Sequence, residues 1–327
     1  MTGESKTAEI KKLYENYPYP TPTAGEMLIS DISNLVQCIA SSNYFVGRHI
    51  LDAGCGTGHR LISIAKALPD TQFTGIDICE HSIATAKDLA RRHGVSNVDF
   101  HIHDLNDPLS DSYSNIFSTG VITCIPNPEL AVRNLLACLA SDGFLLLWVY
   151  HPYGEHTRLL DRQLALFFAG LSADSSYAAK SEILAKLHLS LPPDQYGFTS
   201  PKQRMECSQA SIDVDAYLHP VVNLFTFSEI CTLLKRCGAD WTAANGINWR
   251  GRSRLVDLGN TIQDRYFAVT ALDLFTDEGC QQIFERLSID QKLMVLELVM
   301  KPTGLTVLAG RGQSYTKLTN RVIQNVM

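Results

Sequence analysis

At 327 residues the chain has the length of one or two domains, and 45% hydrophobic content with 9% aromatic residues is enough for a large core. A net charge of −6 offers no strongly basic surface for nucleic acid or anionic membrane, and Met1 to Lys12 is polar rather than signal-like. No apolar run approaches the ~20 residues that cross a bilayer, and nine cysteines without a C-x-x-C pair, among them Cys79, Cys138 and Cys231 in apolar segments, read as reduced thiols of a cytoplasmic protein.

Near the N-terminus, Tyr14-Glu15-Asn16-Tyr17-Pro18-Tyr19-Pro20 packs three tyrosines and two prolines into seven residues. Two fixed φ angles predict a stiff extended piece whose phenols give broad contact surface with polar tips. It reads as either a lid or an arm packed on the surface. Ile50-Leu51-Asp52-Ala53-Gly54-Cys55-Gly56-Thr57-Gly58-His59 then sets three glycines where a buried strand turns sharply into a helix. Glycine there permits unusual φ and removes Cβ, so the backbone can approach a nucleotide-type ligand at the helix N-terminus.

Leu61, Ile64, Ala65 and Leu68 follow at helical spacing, with Pro69 as a stop. The second strand, Gln72 to Ile78, ends in Asp77, placed about 20 to 25 residues after the loop, where an acidic residue can hold ribose hydroxyls. A helix from Glu80 puts Ile83, Ala86, Leu89 and Ala90 on one face and stops at Gly94. Val98 to His103 is a third strand ending in Asp104-Leu105, and Ile116 to Ile122 a fourth. Pro128 to Ala140 is a helix carrying Leu130, Leu135, Leu136 and Leu139, and Gly143 to Tyr150 a fifth strand, apolar throughout. Such alternation forces a parallel sheet buried on both faces, with ligands at the C-terminal strand ends. His101-x-His103 before Asp104 is the only local hint of a metal, and without a second ligand pair at usual spacing no metal is expected.

After Tyr150 the pattern becomes helical, in Leu160, Leu164, Phe167, Phe168 and Leu171 and again in Ile183, Leu184 and Leu187. Leu191-Pro192-Pro193 breaks it, and a polar stretch runs from Asp194 to Gln209. The sheet pattern resumes with Thr226-Phe227-Ser228-Glu229, a capping box leading into Ile230, Leu233, Leu234 and Cys237 and stopping at Gly238. Trp241 to Trp249 is a sixth strand, and Arg250-Gly251-Arg252-Ser253-Arg254 a solvated loop edge. Asp277 to Lys301 gives one or two helices, and Leu305 to Leu308 a short β-prone run that completes the sheet or joins a helical extension.

With acidic residues ending three successive strands, the chain resembles the class I S-adenosylmethionine-dependent methyltransferases. Asp52, Gly54, Gly56 and Gly58 match every fixed position of their D/E-x-G-x-G-x-G motif, whereas the dehydrogenase pattern G-x-G-x-x-G fails because the third glycine comes one residue early. The tyrosine-proline run and the helix from Ser288 to Met300 are similar to segments of a bacterial group that includes some protein lysine methyltransferases, in which the N-terminal segment lies as a lid across the cofactor.

The resemblance implies an α/β fold with a doubly wound, mostly parallel Rossmann-like sheet, a largely helical cap insertion and a C-terminal helical extension. Residues 1–44 would be the N-terminal lid and helix, 45–150 the cofactor-binding core, 151–222 the cap on the substrate side, and 223–327 the completion of the sheet with C-terminal helices. S-adenosylmethionine is the implied methyl donor and S-adenosylhomocysteine its product. The glycine loop and Asp52 would hold the methionine part, Asp77 with Ile78 the ribose, Asp104 with Leu105 the adenine, and Gly120 the methyl side.

His151, Tyr14 and Tyr19 are the catalytic candidates, and Tyr17, His156, Arg158 and His219 the substrate candidates. Thr123 and Cys124 stand where many small-molecule members carry histidine, so no base is expected there. The absence of an N-P-P-Y sequence argues against adenine methylation and against nucleic acid as partner. The leading expectation is methyl transfer to a nitrogen, oxygen or carbon atom of a small molecule, specialised metabolites among the candidates. The alternatives are methylation of a protein or peptide side chain and a non-catalytic S-adenosylmethionine-binding scaffold. Expected partners are therefore a small-molecule or peptide acceptor, with no membrane, and assembly as a homodimer is left open.

Overall fold

Strands that are apolar at successive positions must be covered on both faces, and the computed structural model shows how this chain does it. It describes residues 3–19, 48–174, 176–191, 208–250, 252–258, 268–312 and 314. Strands β1 (His49–Ala53), β2 (Gln72–Asp77), β3 (Val98–Ile102), β4 (Tyr113–Thr119), β5 (Leu139–Tyr150), β6 (Trp241–Trp249), β7 (Arg252–Leu255) and β8 (Gly304–Gly310) form one eight-stranded sheet, ordered β3-β2-β1-β4-β5-β8-β6-β7. The five strands from β3 to β5 in that order are parallel, and β8 enters antiparallel between β5 and β6. β7 closes the edge as an antiparallel hairpin with β6.

Helices are α1 (Gly3–Asn16), α2 (His59–Ala67), α3 (Glu80–Arg92), α4 (Pro128–Ala137), α5 (His156–Gly170), α6 (Tyr177–Lys186), α7 (Gln209–Leu218), α8 (Phe227–Arg236), α9 (Ala271–Leu274), α10 (Glu278–Glu285) and α11 (Ile289–Met300). Alternate strand residues split between two cores, as the period of a β-strand dictates. Ile50, Phe117, Phe144 and Leu146 pack with Leu61 and Ile64 of α2 and Ile83 and Leu89 of α3. Their neighbours Leu51, Ile116, Leu145 and Leu147 pack with Leu135 of α4, Ile230 of α8 and Leu296 of α11. A third cluster joins Leu13 of α1, Ala165 of α5, Leu184 of α6 and Ile212 and Leu218 of α7.

Several boundaries differ from the sequence reading. β4 starts at Tyr113 and ends at Thr119, because Gly120 turns the chain at φ +77° and Ile122–Cys124 forms a 3₁₀ turn. Leu139 opens β5 rather than closing a helix: it pairs with Tyr113, and a register irregularity separates that pair from Asn115–Phe144. Tyr14 lies in α1, not in an extended segment. His103 falls beyond the end of β3, so it shares no strand face with His101. Within the arginine cluster, Arg252 and Arg254 lie in the edge strand β7 paired with β6, rather than in a loop. Leu160, Leu164, Phe167, Phe168 and Leu171 are exposed, while the small residues Ala165 and Ala169 are the buried ones of α5. Pro20 and most of the polar stretch before Gln209 lie outside the described residues.

Two glycines make room for β8. A Cβ on Gly304 would stand 2.5 Å from the Trp148 ring, and one on Gly310 2.4 Å from Trp241. At the opposite end of the sheet, α2 begins with His59, which is 2% exposed and has no hydrogen-bond partner for either ring nitrogen among the described residues. Burial, reinforced by the neighbouring Arg60 charge, lowers its pKa from 6.5 to about 3.

Replacing Gly304 with alanine is expected to cost about 1–3 kcal/mol through overpacking against the indole. Gly170→Ala, with nothing within 4 Å of the added methyl, is expected to change stability by less than about 0.5 kcal/mol; urea unfolding of both variants checks the contrast. His59 sets a pH dependence. Between pH 6.5 and about 3 the unfolded chain binds a proton that the folded chain refuses, so stability falls on acidification by up to about 1.4 kcal/mol per pH unit. His59→Gln is expected to flatten that slope in denaturation curves taken across the window.

Candidate active site

The loop from β1 to α2 has the geometry its glycines allow. Gly54, Gly56 and Gly58 take φ of +83°, +55° and +75°, in the left-handed region that side chains disfavour. A Cβ on Gly54 would lie 2.2 Å from Val121, so the loop rests directly on the segment leaving β4. The Gly54 and Cys55 amides donate to the Ile76 carbonyl at 2.8 and 2.9 Å, and Asp77 Oδ2 accepts the Gly56 amide at 2.9 Å. Asp77 Oδ1 accepts the Cys79 amide at 2.9 Å. Burial raises the pKa of Asp77, and the amides of Cys79 and Gly56 oppose that rise. A carboxylate has about four acceptor positions, so each oxygen keeps capacity for a ribose hydroxyl.

Asp52 is placed differently from its expected role. It is fully buried, and both of its oxygens are taken by Arg60 Nη2, at 2.8 and 3.1 Å. The pair pins α2 to β1 and engages both carboxylate oxygens from the side of the helix. Asp104 Oδ1 accepts the Asn106 amide and side chain, both at 2.9 Å, which leaves Oδ2 without a partner among the described residues. Leu105 is buried beside it and its carbonyl holds Asn134 Nδ2 at 2.9 Å. Ile78 is half-buried, and the Gly120 amide is bonded to the Trp148 carbonyl at 3.0 Å.

These residues gather at the carboxyl ends of β1, β2, β3 and β4, where open parallel sheets take their ligands. They fit S-adenosylmethionine: a close-approach loop at a helix N-terminus, a carboxylate with spare acceptor capacity after β2, and a half-free carboxylate after β3. A cavity of about 640 Å³ lined by Thr270, Leu272, Gln281 and Arg286 shares no residue with these strand ends.

Beside this cleft lies a buried polar cluster. The chain after α7 crosses the ends of β4 and β5, where the Asn223 amide donates to the Thr123 carbonyl at 2.7 Å and the Phe225 amide to the Tyr150 carbonyl at 3.0 Å. Tyr14 is half-buried and its hydroxyl donates to Asp215 Oδ1 of α7 at 2.9 Å. Arg158 binds Glu155 and the Ala216 carbonyl, with its guanidinium 5.0 Å from the Tyr150 ring centre. Arg162 Nη2 donates to the His219 carbonyl at 2.6 Å. Burial, then the Asp215 charge, pushes the Tyr14 and Tyr150 phenols well up and the Cys124 thiol up to about 12, so all three keep their protons.

The expected site residues therefore divide. Tyr14, Arg158 and His219 come together in this cluster. Tyr17 and Tyr19 pack against the α1–α5–α6–α7 core, with Tyr17 edge-on to Tyr177 at 6.2 Å, and His156 is exposed at the start of α5. His151 has both ring nitrogens engaged. It is fully buried, its Nδ1 accepts the Tyr153 amide at 3.1 Å, and its Nε2 therefore donates to Glu297 Oε1 at 3.0 Å. Glu297 also accepts the Phe227 amide at 2.7 Å, so the ring is a strut tying β5 to α8 and α11.

The sequence reading missed Asp215, Tyr150, Arg162, Arg60 and His59. Asp215 had a signal: it stands one turn before His219 and three residues after Ile212, on the apolar face of a short helix.

Comparison with known proteins agrees with this geometry. Residues 45–186 match the family model described as a methyltransferase domain. An uncharacterized protein of Synechococcus is 25% identical over 287 residues, covering 80% of this chain and 66% of that protein. Malonyl-[acyl-carrier protein] O-methyltransferase of Bacillus cereus is 35% identical over 109 residues, 33% of this chain and 38% of that enzyme. The chain thus spans less than two thirds of the length of these relatives. Among solved structures, PKMT2 from Rickettsia typhi shares the fold over 90% of this chain and 55% of its own, with a TM-score of 0.60 at 15% identity. Residues 45–186 are a class I S-adenosylmethionine-dependent methyltransferase domain on a Rossmann-like sheet.

Proposed function

We propose that the whole protein transfers a methyl group to a nitrogen or oxygen atom of a small-molecule acceptor held against the ends of β4 and β5. The observation that carries this is the cluster of buried Cys124, Asp215 and His219 with half-buried Tyr14 and Tyr150, a set of polar side chains next to the cofactor cleft. An interior site of that kind suits a small polar molecule better than an extended chain. When bound, S-adenosylmethionine supplies a methyl carbon on a positive sulfonium with a good leaving group already attached. The protein's task is then to orient the acceptor and receive its proton. In this reading α1 and the helices α5 to α7 form the roof over the acceptor, and Tyr17 and Tyr19 stiffen that roof through their packing on Tyr177 and its neighbours. The Bacillus relative, an O-methyltransferase by name, supports an oxygen acceptor as readily as nitrogen.

Calorimetric titration with S-adenosylhomocysteine is expected to give one site of micromolar affinity; no binding at millimolar ligand overturns the reading. Asp77→Ala is expected to weaken that affinity by about 1–3 kcal/mol, the scale of a lost partner to a buried polar group. His151→Leu is expected to leave the affinity intact and lower unfolding stability by about 1–3 kcal/mol, since the buried Glu297 carboxylate loses its imidazole donor and keeps only the Phe227 amide. Titration and chemical denaturation of the same sample separate the two effects.

A further inference from the structure

His219 ends α7 and holds its ring by one nitrogen only. Nδ1 lies 2.6 Å from the Val221 carbonyl oxygen and 3.2 Å from the Val221 amide. A carbonyl oxygen only accepts, and two facing lone pairs at 2.6 Å would repel, so Nδ1 carries the hydrogen and donates it to the Val221 carbonyl; the longer 3.2 Å approach of the Val221 amide, which would need a lone pair on Nδ1, is then not a hydrogen bond. Nε2 is left with a bare lone pair. The residue is 1% exposed, and Nε2 has no hydrogen-bond partner among the described residues. Buried acceptors are nearly always satisfied, and an exception calls for an explanation, a catalytic role among them.

The surroundings narrow that use. The Tyr14 ring of α1 stands 5.8 Å from the imidazole, centre to centre, and Asp215 of α7 anchors the Tyr14 hydroxyl. Arg162 and Arg158 face the site from α5, Cys124 from the turn after β4, and Tyr150 from β5. Glu155 is engaged by Arg158. The phenols and the thiol are held protonated, so they are donors. On the imidazole, burial lowers the pKa most, Asp215 raises it, and the two arginines lower it, leaving it below 6.5 and the ring neutral at physiological pH.

We propose that His219 Nε2 is the general base of the reaction, receiving the proton of an O–H or N–H acceptor, with the Tyr14–Asp215 pair as its positioning contact. The proposal rests on the methyltransferase reading above. The acceptor heteroatom bonds to the methyl carbon as the carbon–sulfur bond breaks and sulfur keeps the electron pair. The acceptor's proton passes to Nε2, the imidazolium forms one turn from the Asp215 carboxylate, and the proton is later released to solvent.

Nitrogen-15 NMR of the imidazoles in the full chain, saturated with S-adenosylhomocysteine, tests the proton placement without any acceptor. The expected result is a neutral His219 ring at pH 7.5, protonated at Nδ1 and bare at Nε2, with a midpoint below 6.5. A proton on Nε2 overturns the proposal. His219→Gln then supplies the chemical test: S-adenosylhomocysteine affinity and melting temperature stay near wild type. Labelled-methyl transfer from S-adenosylmethionine into a panel of small phenols, carboxylic acids and amines falls about a hundredfold or more. Undiminished transfer overturns the base assignment. A wild-type protein that binds the product yet labels nothing in the panel overturns the small-molecule acceptor reading, and the NMR result decides His219 independently.

Discussion

Two-sided burial of the sheet is the constraint on which the rest depends. Once α2 and α3 cover one face and α4, α8 and α11 the other, side chains in the strands are committed to packing. Groups that can meet a ligand are left only past the strand ends, where the chain turns back into helices. The acidic residue after β2, the half-free carboxylate after β3 and the glycine loop after β1 are consequences of that geometry. The same constraint explains why Asp52, one residue inside the strand end, belongs to Arg60. A carboxylate at that depth is tolerable only when paired, and removing either partner of a buried ion pair costs about 3–5 kcal/mol.

Much of the cofactor half was legible because its signals are local. Glycine spacing, an acidic residue ending an apolar strand, and the Thr226–Glu229 capping box each act within a few residues of themselves, and the structure reproduces them. Boundaries failed where a buried strand contains polar residues. The sequence reading starts the fourth strand at Ile116 and leaves out Tyr113, Ser114 and Asn115, yet Ser114 Oγ donates to the His49 carbonyl at 2.8 Å and the segment is buried.

The polar cluster beyond the ends of β4 and β5 was legible only in fragments, since its partners are far apart in sequence. Tyr14 and Asp215 are separated by 201 residues, and His151 and Glu297 by 146. A sequence displays a histidine after a strand as a plausible base, but not the glutamate that will occupy it. Likewise it displays His219 as one polar residue among many. What distinguishes the two rings is whether Nε2 is already engaged, and that is a property of the folded neighbours.

The position of β8 carries a consequence for how the molecule is made. A strand from residues 304–310 sits in the interior of the sheet, hydrogen-bonded to β5 on one side and β6 on the other. During synthesis β5 and β6 emerge well before it, and each presents an unsatisfied edge until the later segment arrives. The sheet therefore cannot close from the N-terminus outward. Completing it requires a strand made late to pair with both, a high-contact-order event that leaves two edges open to wrong partners until it occurs.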